Sequence, residues 1–330
     1  MEFHVYFPDD PLHVEGLEAV CAGIRSHGLQ PTIKGINDVY QPCHVLVTFG
    51  VAKDITPRGR AVRELVEAHK QNHLPLPKSG ECPPVEAAHL VIERGFIRRD
   101  EYFMVGWNGL NGRAQYFNRN SRSDRWQNLG TELAPWREEG NHVVLCGQVP
   151  WDASVQHTDH RRWCQATASF LVDNSTRPVR FRPHPLQRDA IPMEIPGVEL
   201  SEAETLTEDL QDAWAVVTFN SNAGVEATLG GVPAFVADAG AMGYGVLCND
   251  LKWINDPPIP QRDQWLCDLA YTQWTLEEIA AGDAFGHLYL QQQNWLVRSR
   301  YWFRNLPIFR SAMAEPAPEE TDALEQRRAA

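Results

Sequence analysis

Residues 214–236 contain two apolar runs that are joined by a polar turn and a short helical pattern. Ala215 to Phe219 reads as a buried strand, Asn220 to Asn222 as a turn, Ala223 to Leu229 as a helix and Val232 to Val236 as a second strand. Short apolar runs without alternation are typical of strands that are buried on both faces of a parallel sheet. The segment therefore predicts a strand–helix–strand unit of an α/β fold.

The corner between the first of these strands and the helix is built from small residues, including Ser221, Asn222 and Gly224. Backbone N–H groups and the helix dipole attract an anion at such a corner, where no bulky side chain blocks a phosphate. Glu226, in the first helical turn, is placed to reach a ribose hydroxyl. We therefore expect a nucleotide site here, although similar corners also occur in doubly wound domains as plain connections.

A second polar segment lies at the end of an upstream strand, in the sequence Arg182-Pro-His-Pro185. Parallel strands bring their carboxyl ends together at the edge of the sheet where ligands bind. We therefore expect Arg182 and His184 to contact the phosphate of a nucleotide bound at Ser221. The corner at Ser221 and the segment Arg182-Pro-His-Pro185 together predict a site for a nucleotide diphosphate or monophosphate sugar. The alternative is that His184 simply caps its strand.

Strand and helix patterns alternate in both halves of the chain. The clearest strands are 45–49 and 142–146, and the clearest helices are 60–71 and 159–171. A further helix is expected around 261–280. Such alternation is typical of parallel sheets covered by helices, so the sequence predicts two Rossmann-like domains.

The predicted boundaries follow from this alternation. Residues 1–138 are expected to form an acceptor-side domain and residues 139–293 a nucleotide-sugar-binding domain. Residues 294–310 are expected to form a helix that packs back on the first domain. Residues 311–330, rich in Ala, Pro and Glu, are expected to be a disordered tail.

The composition disfavours several classes of protein. The 330 residues contain no apolar stretch that approaches the roughly 18 residues of a membrane-spanning helix. Seven cysteines are scattered without a CxxC pair, which favours free thiols over disulfides or a zinc site. The formal net charge of −13 argues against a protein that coats nucleic acid. The N-terminus begins as a strand without a basic region, so we expect no secretory signal and a cytoplasmic location.

Four blocks occur in order within residues 88–236: Ile92-Glu-Arg-Gly-Phe-Ile-Arg98, Gly147-Gln-Val-Pro-Trp-Asp-Ala-Ser154, Arg182-Pro-His-Pro185 and Ser221-Asn-Ala-Gly-Val-Glu-Ala227. Together they resemble the bacterial capsule-polysaccharide synthesis proteins that include the β-Kdo transferases. They resemble more loosely other glycosyltransferases with a His-Pro motif that use CMP-sugars. The resemblance implies a GT-B glycosyltransferase, in which two Rossmann-like domains face a cleft. It also implies that Gln148, Asp152 and Ser154 contact the donor.

An inverting sugar transfer needs a base that removes the proton of the acceptor hydroxyl. Where the resembling transferases usually carry a second acidic residue, often taken as catalytic, this chain has Arg94. The candidate bases are Glu93, which ends a predicted strand, and Asp10, which follows the first strand, and Glu93 is preferred by position. His184 is a further catalytic candidate at the leaving phosphate. Arg94 also leaves open an inactive module that binds a nucleotide or a saccharide.

Residues 106–126 combine arginines and aromatic side chains in a stretch rich in Gly and Asn, which predicts a mobile loop. Arginine with aromatics suits phosphate contact and stacking on an extruded base. The stretch also resembles phage-encoded GT-B-like proteins, which implies 5-hydroxymethylpyrimidine in DNA as the preferred acceptor and a capsule-type saccharide as the alternative. The expected acceptor-binding residues are Trp107, Arg113, Tyr116, Arg119, Arg122 and Arg125.

Neither a cofactor nor a metal is expected. The sequence lacks the Asp-x-Asp motif of metal-dependent GT-A enzymes, and His157-Thr-Asp-His160 is better explained by Asp159 as the N-cap of a helix. The expected small-molecule partner is a UDP- or CMP-linked sugar. Its phosphate charge would be met by His184, Arg182 and backbone N–H groups.

Overall fold

The computed structural model describes residues 1–51, 56–75, 87–187 and 196–290. The strands are β1 (Phe3–Phe7), β2 (Pro31–Gly35), β3 (Val45–Phe49), β4 (Ala88–Arg94), β5 (Tyr102–Trp107), β6 (His142–Cys146), β7 (Val179–Arg182), β8 (Val198–Leu200), β9 (Ala213–Thr218), β10 (Ala234–Val236) and β11 (Gln273–Thr275). The α-helices are α1 (Pro11–Ser26), α2 (Pro57–Asn72), α3 (Asp124–Leu129), α4 (His160–Asn174), α5 (Leu206–Leu210), α6 (Ala223–Leu229), α7 (Asp263–Ala270), α8 (Leu276–Ala281) and α9 (Asp283–Leu290).

The first sheet has the strand order β11-β5-β4-β3-β1-β2. Strands β1 to β4 run parallel, whereas β5 and β11 pair antiparallel at one edge. Strand β3 is buried along its whole length, as expected for a strand covered on both faces. Helix α1 begins at Pro11, behind the N-cap Asp10, and its buried residues Leu17 and Val20 belong to the core of this sheet.

The second sheet is fully parallel and has the order β10-β9-β6-β7-β8. Successive residues of a strand point to opposite faces. Accordingly, Val143 and Leu145 of β6 belong to one apolar cluster, and Val144 and Cys146 belong to another. This strand order is that of a doubly wound fold. The predicted class, α/β with two Rossmann-like domains, is confirmed.

The predicted helix around 261–280 is wrong. Helix α7 ends at Ala270, and strand β11 intervenes before α8. Strand β11 pairs with β5 of the first sheet, with Trp274 opposite Phe103. The chain therefore returns to the first domain by residue 273, whereas the prediction kept residues up to 293 in the second domain.

The returning segment completes the core of the first domain. Trp274, Ile279, Phe285 and Leu288 are buried in the same cluster as Phe3 of β1. The predicted helix 294–310 and the predicted tail 311–330 lie outside the described residues.

Candidate functional site

The carboxyl ends of the central strands in the second sheet open onto the gap between the domains. The strand order reverses at β6, which lies between β7 and β9. Open α/β sheets bind ligands in the crevice that forms at such a reversal. The loop after β6 carries Gln148, the loop after β9 carries Ser221, and His184 follows β7.

A pocket of about 200 Å³ lies in this crevice, with walls from both domains. The first domain contributes the predicted residue Glu93 to the lining, and also Arg94, Arg99 and Asn111. The predicted site residues that line the pocket are Glu93, Gln148, Asp152, Ser154, His184, Ser221 and Asn222. Residues predicted from separate segments therefore meet in one place.

A reciprocal pair of amides joins the loops after β6 and β9. The Gln148 side chain donates from Nε2 to Asn220 Oδ1 at 2.9 Å, and the Asn220 backbone N–H donates to Gln148 Oε1 at 3.1 Å. Both residues are buried. Asn220 was predicted only as part of a turn. Its position directly after a buried strand was the signal that could have placed it in the site.

The loop after β6 is held by Asp152. Its Oδ1 accepts the backbone N–H of Ser154 at 2.9 Å and the Ser154 hydroxyl at 2.8 Å. This closed turn fixes both side chains at the pocket wall. Asp152 and Ser154, for which the resemblance implies donor contacts, therefore both line the pocket.

His184 is oriented by its own loop. The backbone N–H of Leu186 donates to His184 Nδ1 at 3.2 Å, so the neutral ring carries its proton on Nε2. Burial lowers the pKa of His184; Asp152 opposes this effect, and the charges of Arg99 and Arg182 add to it. At neutral pH His184 is therefore a neutral hydrogen-bond donor.

Arg182 lies outside the pocket lining, contrary to the expectation that it contacts phosphate. Its Nη1 donates to Asp209 Oδ2 at 2.6 Å and to the carbonyl oxygen of Ala203 at 3.0 Å. Asp209 is fully buried and also accepts the hydroxyl of Ser201. Breaking such a buried pair would leave an uncompensated charge. Because Arg182 belongs to β7 and Asp209 to α5, their ion pair holds α5 against the sheet.

The helix corner differs from the expected open anion site. The Ser221 hydroxyl accepts the N–H of Ala223 at 3.2 Å, so this N–H is already bonded. Gly224 lies outside the lining, and a Cβ there would lie 3.2 Å from Val236 Cγ1, which gives Gly224 a packing role. Glu226 is exposed and accepts a hydrogen bond from Asn222 Nδ2 at 2.9 Å.

The two candidate bases occupy different places. Glu93 lines the pocket beside Gly50, whose φ of +71° and close approach to the Glu93 carboxylate both favour glycine. Asp10 is not part of the lining. It caps α1 by accepting the N–H of Leu12 at 3.1 Å. The geometry therefore favours Glu93 over Asp10.

Arg94 adds positive charge to the wall that carries Glu93. Its Nη1 donates to the carbonyl oxygen of Arg99 at 3.0 Å, and its guanidinium lies 5.2 Å from the centre of the Phe103 ring. Arg94 and Arg99 both line the pocket. Arg94, at which this chain departs from the transferases it resembles, thus lines the pocket.

The aromatic residues predicted to stack on an acceptor base are buried in the protein. Trp107 is fully buried in the first core, and Tyr116 is buried with its hydroxyl donating to the carbonyl oxygen of Asn111 at 3.0 Å. A side chain in the core presents no free face to a base. The predicted mobile loop is instead a packed segment, in which the backbone N–H of Ser121 donates to Asp268 Oδ1 at 2.7 Å.

The four predicted acceptor arginines divide into two groups. Arg125 is held by Glu278 and stacks 3.9 Å from the Trp274 ring centre, and Arg113 donates to Asp238 at 2.6 Å. Arg119 and Arg122 are exposed at the surface. Arg113 is about half exposed as well, but its guanidinium is engaged by the carboxylate of Asp238.

A second, larger cavity of about 810 Å³ adjoins the pocket. It lies between α2, the segment after β5 and the loop after β6, and Arg113 lines it. The two cavities share Val51, Leu110, Asn111, Ala153, Ser154 and Asn220. A molecule in the larger cavity would therefore lie next to one in the pocket.

In the described parts of the chain, no helix is long and apolar enough to cross a membrane. The same residues contain no group of three or more His, Cys, Asp or Glu side chains that could hold a metal ion.

Two facing Rossmann-like domains with a pocket between them define the GT-B fold. Two solved structures of KpsC from Thermosulfurimonas dismutans are similar to this chain. Its β-Kdo 2,7 transferase is 16% identical, with a TM-score of 0.50, and the match covers 89% of this chain and 100% of that one. Its β-Kdo 2,4 transferase is 15% identical, with a TM-score of 0.50, and the match covers 82% and 91%. No protein-family model and no curated protein sequence matches.

Proposed function

We infer that this protein is a glycosyltransferase that moves a sugar from a nucleotide-linked donor to an acceptor hydroxyl. The main support is the pocket at the strand-order reversal, where the donor candidates of the second domain face Glu93 of the first. The KpsC structures, which share the fold, are Kdo transferases. Sugar transfer is therefore the chemistry that the fold and the pocket favour together.

The donor nucleotide would occupy the side of the pocket formed by the loops after β6, β7 and β9. His184 offers its Nε2–H to the leaving phosphate, and an arriving phosphate dianion favours protonation of this ring. Arg99 adds positive charge nearby. UDP and CMP are the nucleotides that the motifs favour, and no metal is required in this proposal.

Glu93 is the proposed base. The acceptor oxygen attacks the anomeric carbon, the bond from that carbon to the phosphate oxygen breaks, and the phosphate leaves with the electron pair. The hydroxyl proton passes to Glu93. Holding both reactants in one pocket makes the step effectively unimolecular.

The acceptor is proposed to enter through the larger cavity, because this cavity adjoins the pocket and shares lining residues with it. The hypothesis of a DNA acceptor loses its stacking residues, since Trp107 and Tyr116 are buried, and now depends on Arg119 and Arg122. A 5-hydroxymethylpyrimidine and a saccharide both supply the required hydroxyl. The proposal is therefore defined by a hydroxyl acceptor.

The donor site can be tested by thermal unfolding with nucleotides. A ligand at about 100 times its Kd stabilises a protein by about 2.7 kcal/mol, so UDP or CMP should raise the melting temperature. His184→Ala should remove most of this shift. Leu186→Ala is the matched control, because it removes an exposed side chain and keeps the N–H that orients His184. Absence of a shift with every nucleotide at millimolar concentration would defeat the proposal.

A further inference from the structure

An ion pair crosses the gap between the two domains beside the pocket. Arg113, from the segment after β5, donates from Nη2 to Oδ2 of Asp238, which follows β10, at 2.6 Å. The side chain of Arg113 is half exposed, whereas that of Asp238 is only 12% exposed. The pair therefore joins the first domain to a largely enclosed carboxylate of the second.

Asp238 is the centre of a hydrogen-bond network. Its Oδ1 accepts from Asn220 Nδ2 and from the backbone N–H of Gly240, both at 2.8 Å. Its Oδ2 also lies 3.1 Å from His157 Nε2. Burial alone would raise the pKa of Asp238, but the hydrogen bonds from Asn220, Gly240 and His157 and the charge of Arg113 outweigh it and lower the pKa. The carboxylate is therefore ionised at neutral pH.

This network reaches the pocket through Asn220. The same Asn220 Nδ2 that donates to Asp238 also donates to the carbonyl oxygen of Ser154 at 2.8 Å. Asn220 also forms the reciprocal amide pair with Gln148. Asp238 thus fixes the side chain that holds two pocket loops together.

The backbone of the first domain also contacts the segment that follows Asp238 in the second domain. The N–H of Gly112 donates to the carbonyl oxygen of Gly240 at 2.9 Å. A Cβ at Gly112 would lie 2.7 Å from the carbonyl oxygen of Ala239, so only glycine allows this approach. Asn111, the preceding residue, lines the pocket. The segment that carries Arg113 therefore also sets one wall of the site.

We propose that Arg113 and Asp238 form an interdomain clasp that positions the donor pocket: Asp238 fixes the loops of the second domain through Asn220, and Arg113 holds the first domain against them. Both are positioning residues, and their role in the donor pocket rests on the function proposed above. Loss of either partner opens the gap and loosens Gln148 and Ser154. The Arg113 guanidinium is half exposed, and an ion pair with a solvated partner contributes little to stability, so we expect the effect on the site to exceed the effect on folding.

The test uses the full chain with CMP and UDP as probes. Arg113→Gln and Asp238→Asn should each raise the Kd for the nucleotide by about ten-fold, measured by titration calorimetry. The double variant should bind no more weakly than the worse single variant, because both substitutions break the same pair. Arg113→Lys, which keeps the charge, should restore part of the affinity. The melting temperature without nucleotide should stay close to that of the wild type.

Arg161→Gln is the matched control, because it makes the same change at an exposed position of α4. Kd values within two-fold of the wild type, or additive effects in the double variant, would overturn the clasp. If the wild type binds neither nucleotide, the proposed function fails and X-ray scattering decides on the clasp. Arg113→Gln should then increase the radius of gyration relative to Arg161→Gln, and an unchanged radius rejects the clasp.

Discussion

At the residue scale, the assignment of Glu93 as the base has a direct consequence. Glu93→Gln keeps the size of the side chain but cannot accept a proton, so transfer should slow by about 10²–10⁴-fold. Nucleotide binding should persist, because the proposed donor contacts do not include Glu93. The measurement is the turnover rate together with the Kd for CMP or UDP.

Asp10→Asn provides the comparison, because asparagine caps a helix about as well as aspartate. If Asp10→Asn lost the activity and Glu93→Gln kept it, the base would be Asp10 and the assignment from the pocket lining would be wrong.

Much of the site could be predicted at this scale, since the ends of parallel strands meet at one edge. That rule predicted that His184 and Ser221 lie together, and the resemblance added Gln148 and Ser154; all four line a single pocket. It failed for Arg182, which is still within β7 and bonds to Asp209, 27 residues further along the chain. Such a partner leaves no local signal in the sequence.

The role of an aromatic residue is equally hard to predict from the sequence alone. Trp107 is followed by arginines and polar residues, and this pattern fits both a nucleic-acid contact and a buried edge of a core. Burial decided between the two.

At the element scale, α1 and α8 pack closely at Gly23. A Cβ at Gly23 would clash with the carbonyl oxygen of Ile279 and lie 3.3 Å from the Cα of Gly282. Gly23→Ala should therefore destabilise the protein by about 1–3 kcal/mol, despite the better helix propensity of alanine. Urea unfolding measures this change.

Gly245→Ala is the control for the same substitution, because a Cβ there meets nothing within 4 Å. It should change stability by less than about 1 kcal/mol. Equal losses in the two variants would mean that the contact between α1 and α8 is not the cause.

The interrupted helix around 261–280 could not be predicted for a related reason. Local patterning favours a helix on both sides of the interruption, and Thr275 even forms a capping box with Glu278 at the start of α8. What makes residues 273–275 a strand is pairing with β5, far away in the sequence. Tertiary pairing of this kind overrides local propensity.

At the scale of the whole molecule, buried histidines link stability to pH. Burial lowers the pKa of His69 and His160 to about 4 and that of His89 and His287 to about 3. The unfolded chain takes up these protons near pH 6.5 and the folded chain does not, so stability falls as the pH drops below 6.5. Each group contributes up to about 1.4 kcal/mol per pH unit.

Urea unfolding between pH 6.5 and 5 measures this slope, in a range above most carboxylate titration. His69→Gln should reduce the slope by up to about 1.4 kcal/mol per pH unit. A wild-type stability that stays flat across this range would contradict the link.

The return of β11 to the first sheet also determines when, during translation, the first domain can complete its core. A ribosome that has released the first 138 residues has made β1 to β5 but not Trp274, Ile279, Phe285 or Leu288, which share their core. Domains usually fold as units in the order in which they emerge. Here the nascent first domain keeps part of its apolar interior uncovered until the second domain has been made. The first domain is therefore translated first but completes its core only after the second domain has been made.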